Sequence, residues 1–361
     1  MDVTQLNLND GYRVERFQFT GNGAEYFRIW IVNLALTIVT LGIYSGWAKV
    51  RRLEYFYRNT RLGGSGFDYH GNPIAILKGR AIGLVFFAMY SVAARLGPWY
   101  FVASLAIIAA VMPFLLNRAL RFRAANSSFR GMRFGFHGTV AGAYRVFLLW
   151  PILAGLSLFT LAPLAHQRIK QYQHGNASYG KSRFSIDVGA APFYGVYVAA
   201  FLLIMGAVIG MMIVLAITMM FIMIASGGKP PTEPGQLGAP FVIGMVVYLV
   251  GIFAAQAFVT CRVQNLVWNA TKLGGDHRFT STLRPGPLFR LLAGNAIATV
   301  FTLGLFTPFA QVRTARFLID AMSMSSPDGA AELDTFAADE TQDVSAFGEE
   351  SAGLFDIDIA F

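Results

Sequence analysis

Thr40-Leu41-Gly42-Ile43-Tyr44-Ser45-Gly46-Trp47-Ala48-Lys49-Val50-Arg51 ends one apolar segment and opens a basic one. Residues 27–46 carry a single charge, Arg28, over about the 20 residues a helix needs to cross a bilayer. Gly46 is placed to break the helix where the chain leaves hydrocarbon. Trp47 suits the interfacial aromatic belt. Arg51 can reach headgroup phosphates or helix-end carbonyls. Asn59-Thr60-Arg61-Leu62-Gly63-Gly64 then reads as a turn.

The same arrangement recurs. Asn33-x6-Thr40-Leu41-Gly42 returns as Asn295-x6-Thr302-Leu303-Gly304. Gly46-Trp47-Ala48-x-x-Arg51 aligns with Pro113-Phe114-Leu115-x-x-Arg118 and Pro163-Leu164-Ala165-x-x-Arg168. Ala257-Phe258-Val259-x-x-Arg262 and Pro308-Phe309-Ala310-x-x-Arg313 complete the set. Asn59, Asn126 and Asn176 each lie eight residues beyond their arginine, and Asn269 is one residue out of register. Gly63 and Gly274 occupy the matching turns. An aromatic-x-aromatic-x-Gly strand stands ahead, as Phe17-Gln18-Phe19-Thr20-Gly21, Phe67-Asp68-Tyr69-His70-Gly71 and Phe134-Gly135-Phe136-His137-Gly138. Phe184 and Phe279 begin the remaining two. From strand Phe to exit Arg the spacing is 34, 51, 34, 78 and 34 residues. Short units hold one apolar segment and long units two. The unit therefore reads as strand, apolar helix, Pro or Gly break, basic surface helix and turn.

Composition agrees. Of 361 residues, 55% are hydrophobic and 14% charged, where a globular chain has about 25% charged. That excludes a disordered chain, a collagen-like fibre and an ordinary cytosolic enzyme. One Cys excludes a disulfide framework and a Cys-based zinc site. Seven segments are apolar enough for the bilayer: 27–46, 81–95, 98–116, 145–162, 193–225, 240–261 and 289–308. Arg95-Leu96-Gly97-Pro98 and the Gly227–Pro240 stretch read as hairpin loops. Gly206 and Gly210 form a small-xxx-small pattern. Residues 1–316 hold all 29 bases and nine acids, a net of +20, and residues 317–361 hold 11 acids and no base. The bases lie between apolar segments, so they point to a membrane surface and not to nucleic acid.

Run, turn and repeats together resemble the YjgN-like bacterial inner-membrane proteins, a domain family of unknown function. The resemblance covers roughly residues 12–320 and implies a multi-pass inner-membrane location and no reaction. Gly46 departs from the Pro expected there, and the acidic tail lies outside the family pattern.

The expected fold is an all-α multi-pass membrane protein, with seven hydrophobic helical segments built from five repeats and short surface β elements. Residues 1–16 form a polar N-terminal segment without secretory-signal features. Residues 17–326 form the repeat-built membrane domain. Residues 327–361 form an acidic, disordered tail on the cytoplasmic side. Its alternating Phe355–Phe361 end could dock a protein partner by strand addition or fold back on the basic layer.

Two layouts compete. If all seven segments span, the halves are inverted repeats, as in secondary transporters. The bases then divide 13 against 16 across the membrane. If the short units leave and return on one face, 27 bases share that face, against Arg95 and Lys229. The positive-inside rule favours the second. Asn33, Pro151 and Gly294-Asn295, near the middle of their segments, mildly support re-entry.

No catalytic signature is present: no His-Glu-x-x-His, P-loop or Gly-x-Ser-x-Gly occurs. Neither enzyme activity nor a cofactor or metal is expected. His166 and His174 could ligate a metal, but a surface-helix role outweighs that. No Asp or Glu lies in any apolar segment, which weighs against proton coupling. Asn33 and Asn295 occupy equivalent positions, read first as helix packing and second as a symmetric substrate pair. Arg51, Arg118, Arg168, Arg262 and Arg313 are the candidates for facing headgroups or anions. The reading is a membrane scaffold or lipid- and anion-interacting protein, with a transporter or channel as the alternative and anionic lipid as the expected partner.

Overall fold

Strands of two to five residues cannot stand alone, and here they share one sheet. The computed structural model describes residues 12–227 and 234–327. Its strands are β1 (Arg13–Arg16), β2 (Gln18–Phe19), β3 (Thr60–Leu62), β4 (Ser65–Tyr69), β5 (Ser127–Phe129) and β6 (Met132–Phe136). They continue as β7 (Ala177–Tyr179), β8 (Ser182–Ile186), β9 (Thr271–Leu273), β10 (His277–Ser281) and β11 (Met322–Ser326). The order is β1-β11-β10-β9-β8-β7-β6-β5-β4-β3-β2, with antiparallel pairs. β1 and β2 are one run of chain interrupted at Phe17, whose N–H donates to the Met322 carbonyl at 3.0 Å. Since β1 pairs with β11 and β2 with β3, the sheet closes into a barrel.

The described residues form ten helices in five pairs. They are α1 (Gly23–Val39) with α2 (Ser45–Arg58), and α3 (Pro73–Leu96) with α4 (Pro98–Ala125). Next come α5 (Val140–Leu156) with α6 (Ala162–Gly175), α7 (Ala190–Ala225) with α8 (Pro234–Asn269), and α9 (Pro285–Phe301) with α10 (Thr307–Ile319). A π-helical turn, Arg145–Leu149, lies within α5 just before Pro151. Each pair bridges two neighbouring antiparallel strands: β2 to β3, β4 to β5, β6 to β7, β8 to β9 and β10 to β11. Both ends of every pair therefore sit on one rim of the barrel. The tight turns β3–β4, β5–β6, β7–β8 and β9–β10 sit on the other. The units run in the same sense around the barrel, so the inverted-repeat arrangement does not hold.

Several expectations change. The β elements are one eleven-stranded near-barrel sheet, not surface ornaments. Its second strand in each unit was read as turn: Asn59 caps α2, Thr60–Leu62 is strand, and Gly63-Gly64 turns the hairpin with φ of 55° and 78°. That double positive φ is the type I′ requirement. Gly274 and Gly275 repeat it. The seven apolar segments become ten helices because three basic return helices, α2, α6 and α10, stand apart. In the long units the return helix is fused to the apolar one. Pro163 and Pro308 start return helices rather than ending outgoing ones, and α4 runs unbroken through Pro113. Pro is tolerated in a first turn because no partner exists there for its missing N–H. Gly46 cannot be Pro or Ala, since a β-carbon would lie 2.7 Å from the Pro73 carbonyl oxygen.

The Arg95–Pro98 hairpin is as expected, with Gly97 at φ 136° linking α3 to α4. The Gly227–Pro240 loop is shorter, because α8 begins at Pro234 and contains Pro240. Gly206 faces open space, and α7 meets α8 instead at Ala207 against Gly251. The acidic tail from residue 328 and residues 1–11 fall outside the described residues.

Among the described residues, four helices are long and apolar enough to cross a membrane: Pro73–Leu96, Pro98–Ala125, Ala190–Ala225 and Pro240–Asn269. The three short pairs end in apolar tips whose leucines are almost bare: Leu41 at 94%, Leu158 at 86% and Leu303 at 94% exposure. All three take φ near +50° (49°, 51° and 50°). The tips close alike. Gly42 N–H reaches the Thr37 carbonyl (2.8 Å), Phe159 the Ala154 carbonyl (2.7 Å) and Gly304 the Thr299 carbonyl (2.8 Å). Thr40 Oγ1, Ser157 Oγ and Thr302 Oγ1 accept from the N–H groups of Tyr44, Leu161 and Phe306. Backbone polar groups are thus paired within an exposed apolar surface, as hydrocarbon demands and water does not.

Candidate functional site

Two sets of residues, both multiplied by the repeat, face different surroundings. The outer set is the exit arginines. Arg51 lies over the Tyr44 ring (5.8 Å), Arg118 over Phe114 (5.3 Å) and Arg168 over Trp150 (5.9 Å). Arg262 lies over Phe258 (5.5 Å) and Arg313 over Phe306 (5.7 Å). Arg118 is half-buried and the other four are exposed. All five guanidinium groups therefore lie within 6 Å of an aromatic ring, although the partner comes from different positions: seven residues back for Tyr44 and Phe306, four for Phe114 and Phe258, and eighteen for Trp150.

The repeat asparagines lie at the other end of the same return path. Asn59, Asn126 and Asn176 each donate through Nδ2 to the carbonyl four residues back, of Tyr55, Phe122 and Tyr172, at 2.8 Å. Each backbone carbonyl accepts from the N–H just after the strand that opens its own unit: Thr20 (2.9 Å), His70 (2.7 Å) and His137 (2.8 Å). One asparagine thus ends the return helix and stitches it to the barrel. Asn269, out of register, instead accepts the Ser281 N–H at 2.7 Å.

The inner set lines a cavity of about 1040 Å³ between the barrel and the return helices. None of the five exit arginines lines it. Its base is apolar. Phe17, Phe67, Phe134, Phe184 and Phe279, one per unit, stand around the barrel interior. Neighbouring centroids are 6.3 Å (17–67), 6.3 Å (67–134), 6.5 Å (17–279) and 5.9 Å (184–279). Leu62, Phe129, Tyr179, Leu273 and Met324, each eleven residues past an exit arginine, complete this floor. The aromatic-x-aromatic-x-Gly pattern is explained here. A β-carbon on Gly138 would lie 2.5 Å from the Phe136 ring, and one on Gly21 2.6 Å from Phe19.

Above the floor the wall is polar. Arg52, Arg123 and Lys170 line it, and among the described lining residues none is acidic. Gln173 (1% exposed), His174 (4%) and Asn295 (6%) also line it. Gln173 Oε1, His174 Nδ1 and Asn295 Oδ1 have no hydrogen-bond partner among the described residues. Burial, and then the charge of Lys170, lower His174 to about 3 and His166 to about 4, so both are neutral near pH 7. His166 Nδ1 lies 3.0 Å from Tyr197 Oη, and His174 packs edge-on to Trp268 at 5.2 Å.

The equivalent asparagines are separated. Asn295 faces the cavity, its Nδ2 donating to the Ala310 carbonyl (3.3 Å) and Thr314 Oγ1 (3.2 Å). Asn33 is buried within the α1 pair and is absent from the lining. Arg52, Arg123 and Lys170 escaped the sequence reading, and only Arg123 occupies a position that the repeat marks. The residue five past each exit arginine (Phe56, Arg123, Gln173, Val267, Leu318) lines the cavity in every unit.

These features define a class: a repeat-built protein with apolar helix pairs on one rim of a small barrel. The chain belongs to the family described as bacterial protein of unknown function (DUF898), whose model matches residues 14–354. It is 26% identical over 337 residues to the inner membrane protein YjgN of Salmonella typhimurium, covering 81% of this chain and 84% of that one. It is 25% identical over 352 residues to the Escherichia coli O157:H7 protein of the same name, covering 82% and 85%. The Escherichia coli K12 protein matches at 31% over 147 residues, 40% of this chain and 37% of its own. No solved structure matches.

Proposed function

We propose that this chain is an inner-membrane protein that organises anionic lipid headgroups around five equivalent arginines on one membrane face, here taken as cytoplasmic. The reading is carried by the return of all five helix pairs to one rim, which puts every exit arginine at the same height above the barrel. In this layout the barrel stands on the side where 27 of the 29 bases lie. The long pairs cross the bilayer. The short pairs re-enter and stop within it: α1, with 17 residues, rises roughly 26 Å, somewhat less than the ~30 Å hydrocarbon core. The exposed Leu41, Leu158 and Leu303 tips are then covered by acyl chains. Each arginine contributes on the order of 1 kcal/mol to headgroup attraction. The units run in one sense, which removes the inverted repeats on which a transporter reading relied.

The test is thermal stability of the full chain in nanodiscs of zwitterionic lipid and of the same lipid with 30% anionic lipid, a fraction of roughly the kind that gives a leaflet its surface potential. Anionic lipid is expected to raise the Tm. Replacing Arg51, Arg118, Arg168, Arg262 and Arg313 together by Gln should abolish the rise while leaving the zwitterionic Tm close to the parent value. An undiminished rise in that variant would refute the headgroup role.

A further inference from the structure

The depth of each helix pair is set by how far it runs past its exit arginine. In every unit that arginine stands nine residues ahead of the strand that receives the chain, at Thr60, Ser127, Ala177, Thr271 and Met322. The five therefore share one level above the barrel. Beyond that level the chain differs in length. Helices α2, α6 and α10 begin at Ser45, Ala162 and Thr307, six residues tipward of Arg51, Arg168 and Arg313. Six helical residues rise about 9 Å. The outgoing leg of unit five agrees. Asn295 Nδ2 meets the Ala310 carbonyl and Thr314 Oγ1 beside Arg313, and Asn295 is six residues short of the end of α9 at Phe301. The guanidinium groups of Arg51 and Arg313 lie closer still to the tips. They stand over the rings of Tyr44 and Phe306, the residues just ahead of α2 and α10. In the long pairs Pro98 starts α4 twenty residues tipward of Arg118, and the apolar span of α8 starts at Pro240, twenty-two tipward of Arg262. These legs rise about 30 and 33 Å.

One leaflet of hydrocarbon is about 15 Å thick, half of the bilayer core. With the arginines at headgroup level, a tip reaching about 9 Å ends inside the near leaflet, and a leg of about 30 Å crosses both. We infer that units one, three and five are wedges confined to the barrel-side leaflet, and that the protein favours a membrane curved convex toward the barrel. This rests on the headgroup reading for the level of the arginines. The tips have the character of an interfacial insert, with bare leucines outside and backbone polar groups paired within. Of the helices of the described residues, ten occupy the near leaflet and four the far one. At about 10 Å across, the six that stop short leave roughly 500 Å² of cross-section for lipid to fill beneath the tips. Bending toward the barrel spreads the near leaflet and crowds the far one, which relieves that mismatch. The lipid surface that fits is one whose near leaflet has gaps between acyl chains for Leu41, Leu158 and Leu303 to fill.

The experiment uses the full chain in a Cys261→Ser background, reconstituted in zwitterionic phosphatidylcholine. Leu41→Cys, Leu158→Cys and Leu303→Cys, one at a time, carry a fluorophore that nitroxide lipids quench from set depths. Nitroxides high on the acyl chain should quench all three positions at least about twofold more than nitroxides at the chain end. Curvature is read on narrow tubes pulled from giant vesicles. Ser65→Cys, labelled with an impermeant dye from outside, marks only molecules whose barrel faces out. Their density should be about twofold higher in the tube than in the flat membrane. Strongest quenching from the chain end would put the tips at the bilayer centre and overturn the proposal. Absence of quenching, or a tube density equal to or below that of the flat membrane, would overturn it too. Should a tip cysteine variant not fold, the tube measurement decides alone. Failure of the headgroup proposal shows separately, as a Tm that anionic lipid does not raise, because both measurements here are made without anionic lipid.

Discussion

The short helix pairs and the long ones are the same unit continued to different lengths. Both begin and end on neighbouring barrel strands, and both carry an arginine stacked on an aromatic at the start of the return path. In the α3–α4 pair the chain goes on past that point. Pro113 aligns with Pro163 and Pro308, which open return helices, yet α4 extends 15 further residues toward its tip, from Pro98 to Met112. That adds about 22 Å. The short pairs close with a hydrogen-bonded left-handed tip and the α3–α4 pair with a single glycine. What differs is depth, while barrel and arginine stay constant and the asparagine cap recurs in three of the five units. The constant parts are where one environment is shared by all five units.

The largest effects should come from placing charge at the short tips. Leu41→Asp combined with Leu303→Asp should remove most of the folded protein from the membrane fraction, since a charge in the bilayer interior costs about 3 kcal/mol per site. Tips lying in water would tolerate both changes, and wild-type yield and Tm would break the comparison. Next comes the packing of the longest pair. A β-carbon on Gly251 would lie 2.1 Å from Ala207 Cβ. Gly251→Val should destabilise by about 1–3 kcal/mol through overpacking, while Gly206→Val, facing open space, should leave Tm nearly unchanged. Equal effects would show that α7 and α8 meet through a different face.

Asn59→Ala, Asn126→Ala and Asn176→Ala should each cost about 1 kcal/mol, the loss of one cap hydrogen bond. The three values should agree within a few tenths if the units are equivalent, and a single outlier among them would identify a unit held differently.

The histidines give the gentlest test. Folding lowers His174 to about 3 and His166 to about 4, from ordinary values near 6.5. Between those values the unfolded chain binds more protons than the folded one, so stability rises with pH in that window. Acidifying from pH 7 to 4 should lower Tm progressively, at up to about 1.4 kcal/mol per pH unit for each histidine. His174→Phe should flatten part of the slope. A slope unchanged in that variant would place the proton uptake elsewhere.

Much of this was legible in the sequence. Arg51, Arg118, Arg168, Arg262 and Arg313 were found as one set because a common run, Pro or Gly then an aromatic three or four residues before Arg, survives around most of them. Asn59, Asn126 and Asn176 were legible because a side-chain cap needs one residue type at one place. The barrel was not. Strands such as Thr60–Leu62 and Ala177–Tyr179 have three residues, too few to show an alternation. Closure joins Arg13 to Ser326 and Gln18 to Arg61, pairings that local pattern does not register. The return helices hid for a different reason. In α4 and α8 they continue an apolar helix without a break, so length alone gave no boundary. The cavity wall was missed because its residues differ from unit to unit: position five past the arginine is Phe56, Arg123, Gln173, Val267 or Leu318. A search for likeness passes over a site that each unit lines with a different residue.

The central claim is that all five units leave and re-enter one face, and accessibility at the barrel's turn rim tests it most directly. In a Cys261→Ser background, single cysteines at Ser65 and Ser182 mark the turn rim in units one and three. An impermeant thiol reagent is added to intact cells and again after lysis. Both positions are expected to stay unlabelled until lysis. Labelling of one in intact cells while the other stays protected would put the two units on opposite faces and contradict the account.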